Sequence, residues 1–283
     1  MRYASRRRVK GKPLAEQADR HELYQMAVQS PDTEIPFLLE TYERLRGKAP
    51  GMLREDFCGT AYLATEWCKR DRSHRALGID LDGETLAWGR RHNVEPAGAD
   101  VVDRLTLVHG DVRDVVEPAA DIACAFNFSY CVLESRDDLK GYFETVHRGL
   151  ASDGLFVLDL FGGTEVYEAQ EEETEIDDSD VVYVWDQAAF NPIDHHMECR
   201  IHFNFPDGSR MEDAFSYSWR LWVMPEITDL LYEAGFTKVR VFWEGFEEPE
   251  DADDEYLDST GEYEEVTEVE NQDSWMSYIV AER

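Results

Sequence analysis

Hydrophobic positions change their period twice along the chain. Residues 19–46 carry apolar positions at helical spacing, interrupted near SPDTEIP (residues 30–36), which predicts two helices with Ser30 or Asp32 capping the second. From residue 51 the pattern becomes short apolar runs alternating with helical stretches. MLRED (52–56), RALGID (75–80), RLTLVHGD (104–111), DIACAFNFS (121–129) and GLFVLDLF (154–161) have strand length. Tyr62 to Lys69, GETLAWGRRHN (83–93) and LKGYFETVHRGL (139–150) between them have helical spacing. Such alternation predicts βαβ units and a parallel sheet. Unbroken runs such as ACAF and FVLDLF suit strands covered on both faces.

After Phe161 the period becomes two. Between Val181 and Trp222, Met197, Cys199, Ile201, Phe203 and Phe205 fall on one face, and His196, Glu198, Arg200, His202 and Asn204 on the other. Pro206-Asp207-Gly208 marks a hairpin turn, so an antiparallel insertion of two to four strands is expected. A helix over MPEITDLLYEAGF (224–236), closed by Gly235, and strands over KVRVFW (238–243) and SWMSYIVAE (274–282) complete the pattern. The expected fold is α/β: a seven-stranded, mostly parallel sheet with helices on both faces, plus an antiparallel insertion after strand five. The expected organisation is a basic flexible tail (1–18), N-terminal helices (19–50), a ligand-binding core (51–163), the insertion (164–222), and the rest of the core sheet with an acidic loop (223–283).

Charge narrows the partners. Sixty-one acids against 28 bases give a net charge of −33, which repels a phosphate backbone. Six bases crowd into MRYASRRRVKGK at the start of the chain, so RNA is kept as a rival partner. The acidic stretches 168–180 and 247–270 read as solvated loops. Five scattered cysteines without a CxxC pair suit reduced thiols. No apolar run reaches the roughly 18 residues of a membrane span, and the start has no apolar signal core. A cytoplasmic protein with no membrane partner is expected.

The candidate chemistry lies where acids end strands. Ligands of open α/β sheets bind beyond the carboxyl ends of the strands, and Glu55, Asp80 and Asp111 end successive ones. Carboxylates there can accept hydroxyl and amine donors. The lone turn glycine, Gly59, lets backbone approach a ligand. Three acids with few bases suit a nucleoside carrying a cationic sulfonium better than a pyrophosphate.

From about residue 20 onward the chain resembles the class I S-adenosylmethionine-dependent methyltransferases, of the small-molecule type with a Rossmann-like sheet. Their first motif, acid-x-Gly-x-Gly-x-Gly, is similar to Glu55-Asp56-Phe57-Cys58-Gly59-Thr60-Ala61, with Phe57 and Ala61 standing in for two glycines. The resemblance implies S-adenosylmethionine as cofactor, the ribose on Asp80 beside Leu81, and the adenine amine on Asp111 beside Val112. The methionine end would pass Asn127, Phe128 and Ser129. The helix HELYQMAVQ (21–29) resembles a lid in which Tyr24 covers the cofactor. Tyr24 and Tyr130 are the catalytic candidates facing the methyl group. Trp185, Tyr217, Arg220 and Trp222 of the insertion are the substrate candidates, with Arg220 able to clamp a carboxylate. The expected reaction is methyl transfer to nitrogen or oxygen of a small molecule.

Other readings compete. His196, Glu198 and His202 share a strand face, but a polar outer face is the simpler account and no metal is assigned. Cys58 reads as a small packed residue of the binding loop rather than a nucleophile. A nicotinamide dehydrogenase would need GxGxxG where FCGTAY stands. A non-catalytic binding protein on the same fold remains, as does a homodimer formed through the insertion.

Overall fold

The computed structural model describes residues 11–246 and 259–283; the basic residues before Gly11 and the acidic stretch 247–258 lie outside the described residues. The chain enters through a short turn, Leu14–Glu16, whose amides bond to Asp207 and Ser209 at the hairpin tip, so this part of the expected flexible tail is docked. Helices α1 (Arg20–Ala27) and α2 (Pro31–Arg46) follow. Ser30 sits at the α2 cap position without a side-chain bond, Pro31 supplies the preset first turn, and Gly47 ends the helix at φ 69°.

The core then runs β1 (Met52–Asp56), α3 (Tyr62–Arg70), β2 (Arg75–Asp80), α4 (Gly83–Gly89), α5 (Ala99–Val102), β3 (Leu105–His109), β4 (Ala120–Ala125), α6 (Arg136–Gly149) and β5 (Leu150–Gly162). The insertion supplies β6 (Gln170–Glu175), β7 (Val182–Phe190), β8 (His196–Asn204) and β9 (Arg210–Arg220). Helix α7 (Met224–Glu233) returns the chain to β10 (Lys238–Phe246), β11 (Ser259–Val266) and β12 (Trp275–Glu282).

The large sheet has eight strands in the order β11-β10-β12-β5-β4-β1-β2-β3. The five from β5 to β3 are parallel, and β12, β10 and β11 are antiparallel. From β1 the chain builds outward through β2 and β3, then returns to add β4 and β5 on the other side. That reversal opens a crevice at the carboxyl ends of β1 and β4. Both faces are covered: α2 and α3 bring Ile35, Leu38 and Trp67 to one, and α6 and α7 bring Tyr142, Phe143 and Leu230 to the other.

The eighth strand and part of the insertion depart from the expectation of solvated acidic loops. β11 pairs with β10 and β6 with β7, while their glutamates face water. Both are edge strands, and charge there discourages pairing with another chain. Strands β6-β7-β8-β9 form a separate antiparallel sheet. Met197, Cys199, Ile201, Phe203 and Phe205 are all buried, packing inward on the main core and on Leu23 of α1. The inner face is thus occupied within the chain rather than offered to a second copy. Among the described residues, no helix is long and apolar enough to cross a membrane.

Candidate active site

The loop from β1 to α3 passes through three left-handed residues, Phe57, Gly59 and Ala61, at φ 56°, 52° and 52°. These are the three glycine positions of the motif that the sequence resembles. The left-handed conformation costs about 1–2 kcal/mol for a residue with a Cβ, so Phe57 and Ala61 hold a glycine backbone against that cost. The surroundings enforce it. Cys58 N donates to Ile79 O at 3.0 Å, and Gly59 N donates to Asp80 Oδ2 at 2.7 Å. Ala61 is fully buried, and the Phe57 ring packs edge-on against Tyr142 at 5.5 Å. Gly89 of α4 lies so close to the loop that a Cβ there would collide with the Thr60 carbonyl.

Glu55 lies behind this loop. Its carboxylate accepts from Ala64 N at 2.9 Å, satisfying an amide in the first turn of α3, where Ala61 at the cap has no side chain to offer. Burial pushes its pKa well up. The first motif acid therefore braces the helix start instead of lining the cleft.

Below α1, the carboxyl ends of β1, β2 and β4 open on a cleft of about 530 Å³. Phe57, Cys58, Gly59 and Thr60 line it with Asp80, Asn127 and Ser129, and Arg20, His21, Tyr24 and Gln29 close it together with Asp213 to Tyr217 of β9. Each Asp80 oxygen takes one backbone amide, from Gly59 at 2.7 Å and Asp82 at 2.8 Å, leaving lone pairs for ligand hydroxyls. Burial raises the Asp80 pKa. Thr60 Oγ1 and Gln29 Oε1 are buried without a hydrogen-bond partner, and both residues line the cleft. An unpaired buried polar atom costs about 1–3 kcal/mol. Two such atoms beside an acid at the strand ends fit a polar nucleoside ligand.

Helix α1 is fastened at both sides. Asp19 caps α1 through His21 N and accepts from Trp88 Nε1 at 2.8 Å. Arg20 Nη1 donates to Ala214 O at 3.1 Å, and Tyr24 packs on Phe215 at 4.9 Å. The insertion thereby holds α1 over the cleft.

A second cavity of about 250 Å³ adjoins the first, and Tyr24, Asn127 and Tyr217 line both. Its walls are largely aromatic: Phe128, Phe161, Tyr183, Trp185 and Trp219. Between the two cavities, Asn127 and Phe128 are both left-handed, at φ 57° and 55°. Asp159 of β5 holds this turn by accepting from their amides at 2.5 and 2.9 Å.

Several expected site residues sit elsewhere. Tyr130 is fully buried, its hydroxyl donating to Asp159 O at 2.7 Å, because the left-handed pair before it turns its ring into the core. It cannot face a methyl group. Arg220 lines a separate depression with Glu134, His195 and Glu226. Its guanidinium pairs with Glu226 at 2.8 Å and lies 3.9 Å over the Trp222 ring, which is buried. Neither residue borders the aromatic cavity. Asp111 begins the turn after β3, where Arg113 grips its carboxylate at 2.7 Å; Leu81 is exposed and Val112 buried, and none of the three lines the cleft. His196 bonds to Ser218 Oγ, whereas His202 is buried at a bulge between Asp186 and the Asp213 amide. The two histidines therefore do not share a site. Glu171, Asp186 and His202 could hold a metal ion by spacing alone, with Glu171 exposed.

Gln29, Phe215 and Asp159 were not among the residues expected from sequence. A lone acid inside the apolar run FVLDLF was the signal for Asp159; nothing in the sequence marked the other two.

Residues 56–158 match the family model of a methyltransferase domain. No curated protein sequence matches the chain. Among solved structures, an S-adenosylmethionine-dependent methyltransferase from Clostridium acetobutylicum is similar at TM-score 0.63 and 15% identity, over 92% of this chain and 96% of that one. An amino pentose methyltransferase of calicheamicin biosynthesis from Micromonospora echinaspora, solved with S-adenosylmethionine bound, aligns at TM-score 0.61 and 16% identity, over 93% and 95%. A sugar N-methyltransferase from Streptoalloteichus aligns at TM-score 0.60 and 14% identity, over 100% and 99%. At such identities these structures share the fold. The domain match runs from the end of β1 into β5, and so across the strained loop and the cleft: this part of the chain matches a methyltransferase domain, on a fold shared with S-adenosylmethionine-dependent methyltransferases.

Proposed function

We infer that this enzyme methylates nitrogen or oxygen of a small molecule held in the aromatic cavity beside the cofactor cleft. The observation that carries this reading is the joint between the two cavities, where Tyr24, Asn127 and Tyr217 line both. A cavity of about 250 Å³ suits part of a metabolite, not a polymer. Two neighbours of the same fold are named for sugars, acceptors of that size. The net charge of −33 argues against a nucleic-acid substrate.

S-adenosylmethionine supplies, when bound, a methyl group on a sulfonium open to in-line displacement. Asp80 would accept the ribose hydroxyls, and Thr60 and Gln29 would offer their unpaired oxygens to polar groups of the ligand. Asp111 is held by three donors of Arg113, which leaves a carboxylate little acceptor capacity for an adenine amine. Tyr24 and Phe215 exclude water, and the aromatic walls orient the acceptor. Positioning and water exclusion of this kind can supply much of the rate.

The test is to incubate the enzyme with methyl-labelled cofactor and a cell extract containing both metabolites and RNA, then separate by size. Label in the small-molecule fraction is expected. Label confined to RNA would overturn the reading and promote the basic N-terminus as a binding element.

A further inference from the structure

A third cavity, of about 330 Å³, continues from the aromatic one; Val28, Asn127, Phe128 and Tyr183 line both. Its distinctive residue is Glu34, in the first turn of α2. Glu34 is 6% exposed, yet its carboxylate has no hydrogen-bond partner among the described residues. Asp159, Glu244, Tyr263 and Tyr278 line the same space. A carboxylate is not carried into a protein interior without compensation, since a buried unpaired charge is costly. Burial, reinforced by the Asp159 charge, pushes the Glu34 pKa up to about 8, and burial pushes Asp159 up to about 7. Asp159 already accepts two backbone amides, whereas Glu34 accepts none. The Tyr263 and Tyr278 rings stand 4.3 Å apart beside it, and aromatic faces are the usual companions of a carboxylate in a site for a cation.

We propose that this cavity binds the amino group of the acceptor, with Glu34 as its ion-pair and hydrogen-bond partner and as the carboxylate that takes one ammonium proton, freeing the nitrogen lone pair to attack the sulfonium methyl, so that the substrate class is an amine. The inference rests on the small-molecule reading above and deepens it. An ammonium supplies the donors that Glu34 lacks and favours the charged form of a carboxyl that burial otherwise holds toward its protonated form. A hydroxyl acceptor offers no positive charge to draw Glu34 into that form. Continuity through Asn127 and Phe128 connects the amine site with the end of the cofactor cleft, where Asn127 also lies. Glu34 is thus a specificity-determining residue.

The experiment uses the full chain, methyl-labelled cofactor and a metabolite extract, with labelled products passed over a cation exchanger at neutral pH and identified by mass. A retained methylated amine is expected. With that amine, Glu34→Gln should lower kcat/KM at least about 30-fold, and Glu34→Asp should restore part of the loss. Glu34→Gln should keep S-adenosylhomocysteine affinity within about twofold and melt no lower than wild type, since it removes an unpaired buried acid. Label on a neutral hydroxyl compound would overturn the amine inference while leaving small-molecule transfer intact; label on RNA would overturn both. Unchanged kcat/KM in Glu34→Gln would also overturn it. Parallel loss of S-adenosylhomocysteine affinity would assign Glu34 to the cofactor's own ammonium instead.

Discussion

Replacing Asp80 by asparagine keeps the side chain's shape and removes its charge, which makes it the sharpest probe of the cleft. In the folded protein Asp80 faces two backbone donors, Gly59 N at 2.7 Å and Asp82 N at 2.8 Å. An amide has one acceptor oxygen, so the substituted side chain can keep only one of these bonds and must turn its NH2 toward the other donor. A buried donor left unpaired costs about 1–3 kcal/mol, and the Gly59 loop, already strained at Phe57 and Ala61, is where that cost falls. In the complex, one charge-assisted bond to a ribose hydroxyl is lost or weakened, worth about 1.5–3 kcal/mol, or about 10- to 150-fold in Kd. Calorimetric titration with S-adenosylhomocysteine, alongside a thermal melt, reads both effects. The expected outcome is a modestly lower Tm and a Kd raised at least about tenfold. A folded Asp80→Asn protein with a Kd within about threefold of wild type would refute the assignment of Asp80 to the ribose.

Gly89→Ala should weaken S-adenosylhomocysteine binding by at least about tenfold while the far-UV spectrum stays native, because its methyl must displace the Thr60 carbonyl and with it the loop; unchanged binding would mean that the loop adapts freely. Glu34 and Asp159 have pKa values raised to about 8 and about 7, so the folded state holds protons that the unfolded chain releases near pH 4. Their contribution is therefore intact at low pH and lost as pH rises toward 8, and Tm of the ligand-free enzyme should fall across pH 5–8, less steeply in Glu34→Gln; equal slopes would contradict it. Arg220→Lys should leave cofactor affinity and acceptor KM within about twofold, since the guanidinium is committed to Glu226 and Trp222; a selective rise in acceptor KM would restore Arg220 to the substrate site.

The parallel sheet was legible because its strands are short apolar runs between amphipathic helices, and burial on both faces demands that composition. Strands β6 and β11 were not legible, because their glutamates face water and leave no apolar run, while the backbone ladders that tie them to the sheets carry no sequence signal. The cleft at the strand ends was half legible. Gly59 and Asp80 could be found from spacing, but the left-handed backbone at Phe57 and Ala61 could not, since neither residue advertises it. Tyr130 misled for a conformational reason: proximity in sequence to Asn127 says nothing about a chain that turns through two left-handed residues first. Arg220 misled because Glu226, its partner, comes from the start of α7 rather than from a ligand. Glu34 was hidden inside a capping segment whose acids normally face solvent.

A crystal structure of the enzyme with S-adenosylhomocysteine tests the central claim most directly. The account predicts the nucleoside in the cleft between the Gly59 loop and Tyr24, with both ribose hydroxyls within hydrogen-bond distance of Asp80 and the sulfur beside Asn127, facing the aromatic cavity. Ligand density anywhere else, or a ribose that makes no contact with Asp80, would contradict it.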